Sequence, residues 1–154
     1  MIVTAKEYLS QVRWLNQQIL NCNDEIKQLR ELAETIKATN YEQSVVQTSG
    51  KPDAAFACVV EKIADSEAQL SETVESYLEF RKTIKEEIRQ LPEAEERILL
   101  EKRYVCLKSW SAVADEMGYV RRHITRIHAD ALQNFEKIHA KKLKMSQNVL
   151  ECPT

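Results

Sequence analysis

Glycine and proline are scarce in this chain. Its 154 residues include two glycines and three prolines, and aromatic side chains make up 6%. A sheet protein with many tight turns needs far more turn residues, so this scarcity points to long, rarely interrupted helices. No run of about 18 apolar residues occurs, which excludes a membrane-spanning helix on hydropathy. Met1 to Lys6 lacks the basic-then-apolar pattern of a secretory signal. These absences predict a soluble, cytoplasmic protein.

Chemical signatures are missing as well. The four cysteines, at positions 22, 58, 106 and 152, form no CxxC pair, and His123, His128 and His139 complete no zinc pattern. Reduced thiols and no bound metal are expected. There is no glycine-rich phosphate loop, no nucleophile elbow and no HExxH pair. The sequence therefore predicts no catalytic residue, no cofactor and no enzyme.

What the chain does have is charge, 30% of its residues, unevenly placed. Residues 1–91 hold 11 Lys/Arg against 15 Asp/Glu, a net −4, whereas residues 92–154 hold 11 against 9. Within 118–145 the balance is 7 against 2, and all three histidines lie there. Basic charge gathered in one segment of an acidic chain is the footprint expected of a polyanion site.

The acidic part carries helical periodicity. Ala5, Tyr8, Val12, Leu15, Ile19, Cys22, Ile26, Leu29, Ala33 and Ile36 recur at spacings of three and four. Such a heptad stripe is narrow and needs a partner helix to cover it. Thr4 and Glu7 have the spacing of a capping box. The pattern stops near Thr39, and 39–52, with Ser49-Gly50, reads as a connection. Asp53 is placed to cap a second helix, whose stripe is Phe56, Val60, Ile63, Leu70, Val74, Tyr77, Ile84, Ile88 and Leu91. Glu67 and Arg81 fall in the same register, either fixing it or lying at the solvated edge of the seam. Residues 1–91 are thus expected to form a long antiparallel, coiled-coil-like hairpin. Pairing with a second copy would cover its remaining apolar edge, so a homodimer through these helices is expected. The rival arrangement is a monomeric hairpin packed on the C-terminal domain.

Leu91-Pro92 ends the second helix, and Pro92 suits the first turn of another. Glu93, Glu95 and Glu96 follow where a helix dipole favours carboxylates. Ile98, Leu99, Leu100, Tyr104 and Val105 supply a buried face. The stretch Trp110 to Ile127 then matches a helix-turn-helix. Ser109 is placed to cap its first helix. Ala114 is the small residue needed at closest helix approach, and Gly118 tolerates positive φ in the turn. Val113, Met117, Tyr119, Ile124 and Ile127 supply the shared core. The second helix, about 120–137, has Ile124, Ile127, Ala131, Phe135 and Ile138 as its buried stripe. Arg122, Arg126 and Gln133 point away from that stripe, with Thr125 on one shoulder and His123 and Asp130 on the other. Arg121 and Arg122 stand in the first turn, where the dipole disfavours cations, and Val120 supplies no capping oxygen. An external anion would relieve that conflict, DNA phosphate or a guanine edge being the obvious choices. Salt bridges to Asp115 or Glu116 are the alternative. Arg121, Arg122, His123, Thr125, Arg126 and Gln133 are the candidate DNA contacts. Lys137, Lys141, Lys142 and Lys144 continue the basic run towards phosphates, or form a solvated helix end. A tail at 146–154 is expected to be disordered.

Leu91-Pro92-Glu93, Leu99-Leu100, Arg103-Tyr104, Ser109-Trp110, Val113-Ala114, Met117-Gly118-Tyr119, Ile124, Ile127 and Ala131-Leu132 together resemble region 4 of sigma-70-type sigma factors. That resemblance implies recognition of a −35 promoter element, with Arg121, Arg122, Thr125 and Arg126 at DNA-contacting positions. Over nearly its full length, with TAKEYLSQVRWLNQQI at the start and VQTSG in the connection, the chain resembles ArpU-type phage transcriptional regulators of Gram-positive bacteria. This implies an all-α protein, a hairpin at 1–91 and a DNA-binding domain at 92–145, acting on late phage or prophage genes in the bacterial cytoplasm. No module for the −10 element is recognisable, so an activator fits better than a complete sigma factor. Two rival functions are a small terminase-like packaging subunit and a module that binds RNA polymerase instead of DNA.

Overall fold

The computed structural model describes residues 3–43 and 53–145, and these form helices joined by short links, with no strand among them. The helices are α1 (Ala5–Gln43), α2 (Asp53–Arg89), α3 (Ala94–Leu100), α4 (Trp110–Met117) and α5 (Arg121–Met145). The segment Glu101–Val105 continues α3 as a single π-helical stretch. No described helix is long and apolar enough to cross a membrane. The side chain of Asp53, the connection at 44–52 and the tail at 146–154 lie outside the described residues.

The chain divides into two compact units. One comprises Met1–Trp14 and Tyr77–Thr154, the other Leu15–Ser76. The segment 1–91 therefore contributes its two ends to the unit that holds α3, α4 and α5.

In the first unit, α1 starts with reciprocal bonds. The Thr4 amide donates to Glu7 Oε2 (2.9 Å) and the Glu7 amide to Thr4 Oγ1 (3.3 Å). These satisfy two of the donors that a helix start leaves open. They also hold the Glu7 carboxyl below its ordinary pKa. Glu136 of α5 accepts from the Ala5 amide at 3.1 Å, adding an anion at the positive end of the dipole. At the end of α2, Arg97 donates to the carbonyls of Leu91 (2.5 Å) and Pro92 (3.0 Å). Pro92 lies in the link before α3 instead of in its first turn; Glu93 is the N-cap and makes no side-chain capping bond.

The core of this unit draws on all five helices. Leu9 and Val12, Ile84, Ile88 and Leu91, Leu99 and Leu100, Val113, then Ile124 and Phe135 are all essentially inaccessible. Tyr8 meets Phe80 edge-on and also lies beside Phe135, with ring centroids at 5.5 and 6.2 Å. Its hydroxyl donates to buried Glu87 (3.3 Å), which also receives Lys142. Burial, and then the Glu87 charge, push the Tyr8 hydroxyl far above its ordinary pKa.

Two expected core positions are exposed. Ile98 lies opposite the Glu96, Leu99 and Leu100 side of α3. Ile138 gives way to His139, which is 8% exposed. His139 leaves helical geometry (φ −106°, ψ 16°), and its Nε2 lies 3.2 Å from the Glu87 carbonyl oxygen. This break in α5 resets the buried row to Phe135, His139 and Leu143.

In the unit 15–76, the α1 stripe keeps its expected members: Ile26 and Ala33 are buried, and Leu15, Ile19, Cys22, Leu29 and Ile36 are half-buried. The α2 stripe keeps Phe56, Ile63, Leu70, Val74 and Tyr77 but replaces Val60 by Val59, and Ser66 takes the seam position beside Glu67. Phe56, Val59, Ile63, Ser66, Leu70 and Thr73 face inward, while Val60 and Glu67 are exposed. The 3–4 alternation survives with a small polar residue on the seam, which leaves Glu67 at its edge to pair with Arg30 at 2.5 Å. The Cys22 thiol donates to the Ser66 carbonyl at 3.4 Å. The apolar stripe of α1 ends at Ile36, as expected, but 39–43 are helical and not part of the connection. Thr35 and Thr39 bond back to Glu31 and Thr35, and the helix runs on to Gln43 without an apolar stripe.

Candidate nucleic-acid interface

The segment before α4 sets its direction. The π-turn closes with the Cys106 amide on the Glu101 carbonyl (2.9 Å), and Leu107 adopts a left-handed φ of 56°. Arg103 donates to the Lys108 carbonyl (2.7 Å) and lies over the Trp110 ring at 4.6 Å. Ser109 then caps α4, accepting from the Ala112 amide at 3.2 Å.

Gly118 ends α4 at φ 70°, ψ 26°. The Tyr119 amide bonds back to the Ala114 carbonyl (3.1 Å) and the Gly118 amide to that of Asp115 (3.3 Å). This left-handed cap satisfies carbonyls that the helix end would otherwise leave open. The turn is pinned from outside by the Tyr119 hydroxyl, which donates to Glu95 of α3 at 2.5 Å. Further along, Asn134 of α5 donates to both oxygens of buried Glu96 (2.9 and 3.1 Å). Val113, Ala114, Ile124 and Ile127 are buried beneath the turn, and Met117 and Tyr119 are half-buried against the same core.

Above that core, Arg121, Arg122, Thr125, Arg126 and Gln133 are all exposed on α5. His123 stands apart from them: it is half-buried, edge-on to Tyr119 with centroids at 4.7 Å. The Thr125 hydroxyl donates to the Arg121 carbonyl at 3.0 Å. Val120, 73% exposed, precedes the helix and offers no capping oxygen. The first turn of α5 holds no acidic residue. Two cations therefore stand at the positive end of a long helix, each costing about 0.3–1 kcal/mol.

Among the described residues no carboxylate pairs with them. Glu116, one of the acids placed by sequence to do so, is taken by Lys102 and Lys108, both at 2.5 Å. Those two bonds also hold its carboxyl below the ordinary range. Among the described residues no ion pair engages Arg121, Arg122 or Arg126. Lys137, Lys141 and Lys144 are exposed and likewise outside any such pair, whereas Lys142 is turned to Glu87.

Behind the first turns of α5, His128 packs on Trp110 (centroids 4.6 Å) and shares a 2.9 Å hydrogen bond with the Tyr104 hydroxyl. Burial first, then the charges of Lys6 and Arg103, hold its pKa at about 4. Sequence reading had no means of finding Lys6 here, because nothing local to α1 ties its first turn to α5. Among the described residues no cluster of three or more His, Cys, Asp or Glu could hold a metal ion. Comparison with protein-family models, curated proteins and solved structures finds no match to this chain.

Proposed function

We propose that α4, the Gly118 turn and α5 act as a helix-turn-helix that reads duplex DNA, and that the protein regulates transcription through it. In this reading α5 enters the major groove, Arg122 and Arg126 reach base edges, and Arg121 and the later lysines meet phosphates. The observation that carries the reading is the uncapped start of α5. Its exposed arginines have no acidic partner among the described residues, and they stand on a turn held by a left-handed glycine and a tyrosine clamp. An anion supplied from outside would relieve both the dipole conflict and the mutual repulsion.

The resemblance to sigma region 4 and to ArpU-type regulators supports a phage or prophage activator. The α1–α2 pair is read as an antiparallel hairpin that joins two copies. Leu20, Leu32 and Val60 are 45–49% exposed on the unit 15–76, and a second copy would cover such side chains.

Selection of bound duplexes from a random pool, at stated salt, tests the reading. The expected result is convergence on one motif, repeated with two-fold symmetry if two α5 helices act together. A pool that stays random would reject sequence-specific binding. A ring-sized oligomer that binds a nuclease partner would instead assign the protein to DNA packaging.

A further inference from the structure

Arg121, Thr125 and His128 are spaced four and three residues apart and form one shoulder of α5. With Ile124, Trp110 of α4 and Lys6 of α1 they line a groove of about 210 Å³. Its walls are of three kinds. Trp110 and Ile124 are apolar, and Thr125 and His128 are polar. Lys6 and Arg121 are exposed cations, neither in an ion pair among the described residues. His128 adds no charge near neutral pH, since its pKa lies at about 4, and one ring nitrogen is already engaged with Tyr104. The groove therefore holds two positive charges from two distant parts of the sequence and no carboxylate.

We propose that this groove seats one phosphodiester of the duplex that α5 reads, with Lys6 and Arg121 as its charged contacts. The inference rests on the DNA-binding reading above and adds to it a contact from outside the α4–α5 pair. Charge complementarity selects an anion, because two unpaired cations on one groove repel until something negative lies between them. The location selects a backbone phosphate. Arg121 is in the first turn of α5, one residue from Arg122, so a strand passing the helix start brings a phosphate to this shoulder. The first turn of α1 is fixed for the task by Thr4, Glu7 and Glu136, which hold the backbone around Lys6.

The test is the salt dependence of duplex binding by the full chain, for the wild type, Lys6→Gln and Lys6→Arg. Each phosphate contact contributes about 0.9 to the log–log slope with salt, so Lys6→Gln is expected to flatten the slope by about that amount. It should weaken a selected duplex and an unrelated one by the same factor, whereas Lys6→Arg should keep the slope. Thermal melts of the three proteins should coincide, since Lys6 is exposed. A wild-type protein that binds duplex while Lys6→Gln leaves slope and affinity unchanged overturns the groove assignment alone. A wild-type protein that binds no duplex overturns the DNA-binding reading and this inference with it. Inorganic phosphate forms a separate arm. If it saturates the Trp110 and His128 resonances at low millimolar concentration and DNA leaves them unmoved, the groove takes a free anion and the proposal fails.

Discussion

α1 and α2 contribute to both compact units, and the same kind of helix meets two different fates. In the unit 1–14 plus 77–154, α1 buries Leu9, a residue outside its heptad stripe, because helices beyond its α2 partner also pack there. In the unit 15–76, Leu20 and Leu32 also lie off the stripe and stay about half exposed, because one partner helix covers one face only. Burial there is confined to Ile26, Ala33, Val59 and Ser66 among the described residues. The difference teaches that a stripe is a property of the sequence, whereas a core is a property of how many neighbours surround it.

The strongest way to break this contrast is to truncate leucines on either side of it. Leu9→Ala should cost about 2–5 kcal/mol, as for a buried leucine, while Leu20→Ala should stay within about 0.5 kcal/mol at dilutions where the chain is monomeric. Denaturant unfolding of both variants measures this, and equal penalties would erase the distinction. A Leu20 penalty that grows with protein concentration would be the signature of the proposed dimer.

A smaller effect comes from His128. Its folded pKa of about 4 lies below the ordinary 6.5, so folding favours the neutral ring. That contribution is present in full above about pH 6.5 and drains away as pH falls towards 4. The ring is partly solvated, which screens the effect to about 1–2 kcal/mol. An NMR titration of the imidazole should show a midpoint near 4. A midpoint between 6 and 7 would mean that Trp110, Tyr104 and Lys6 do not surround it as described.

An effect of similar size is expected of Gly118→Ala. An added Cβ would meet nothing within 4 Å, so the cost is that of a left-handed alanine, about 1–2 kcal/mol. Gly118→Asn should cost less, and thermal melts would rank the two. A larger loss for Asn than for Ala would mean that something other than φ demands glycine there.

Much of this was legible beforehand for a physical reason. A heptad stripe, a T-x-x-E cap and a glycine between two amphipathic helices are local signals, and α1, the Thr4–Glu7 box and the Gly118 turn follow from them. What was not legible depends on neighbours remote in sequence. Val59, not Val60, faces the seam, because two adjacent valines give hydrophobicity no means of choosing between them, and Glu67 takes the solvated edge, one of the two places open to it, beside buried Ser66. Ile138 yields to His139 because the Glu87 carbonyl and the break in α5 reset the buried row. Glu116 was a plausible partner for Arg121 or Arg122 until Lys102 and Lys108, on the π-turn and the loop after it, proved to hold it. Lys6 joins α5 only through the tertiary fold.

The central claim is that the exposed arginines of α5 meet DNA. Its most direct test is a binding titration on a selected duplex, at fixed salt, comparing the wild type with Arg122→Ala and Arg126→Ala. Each loss should cost about 1–3 kcal/mol of affinity and relax base preference at one position, while the melting temperature holds. Affinity and preference unchanged in both variants, with the fold intact, would contradict the account.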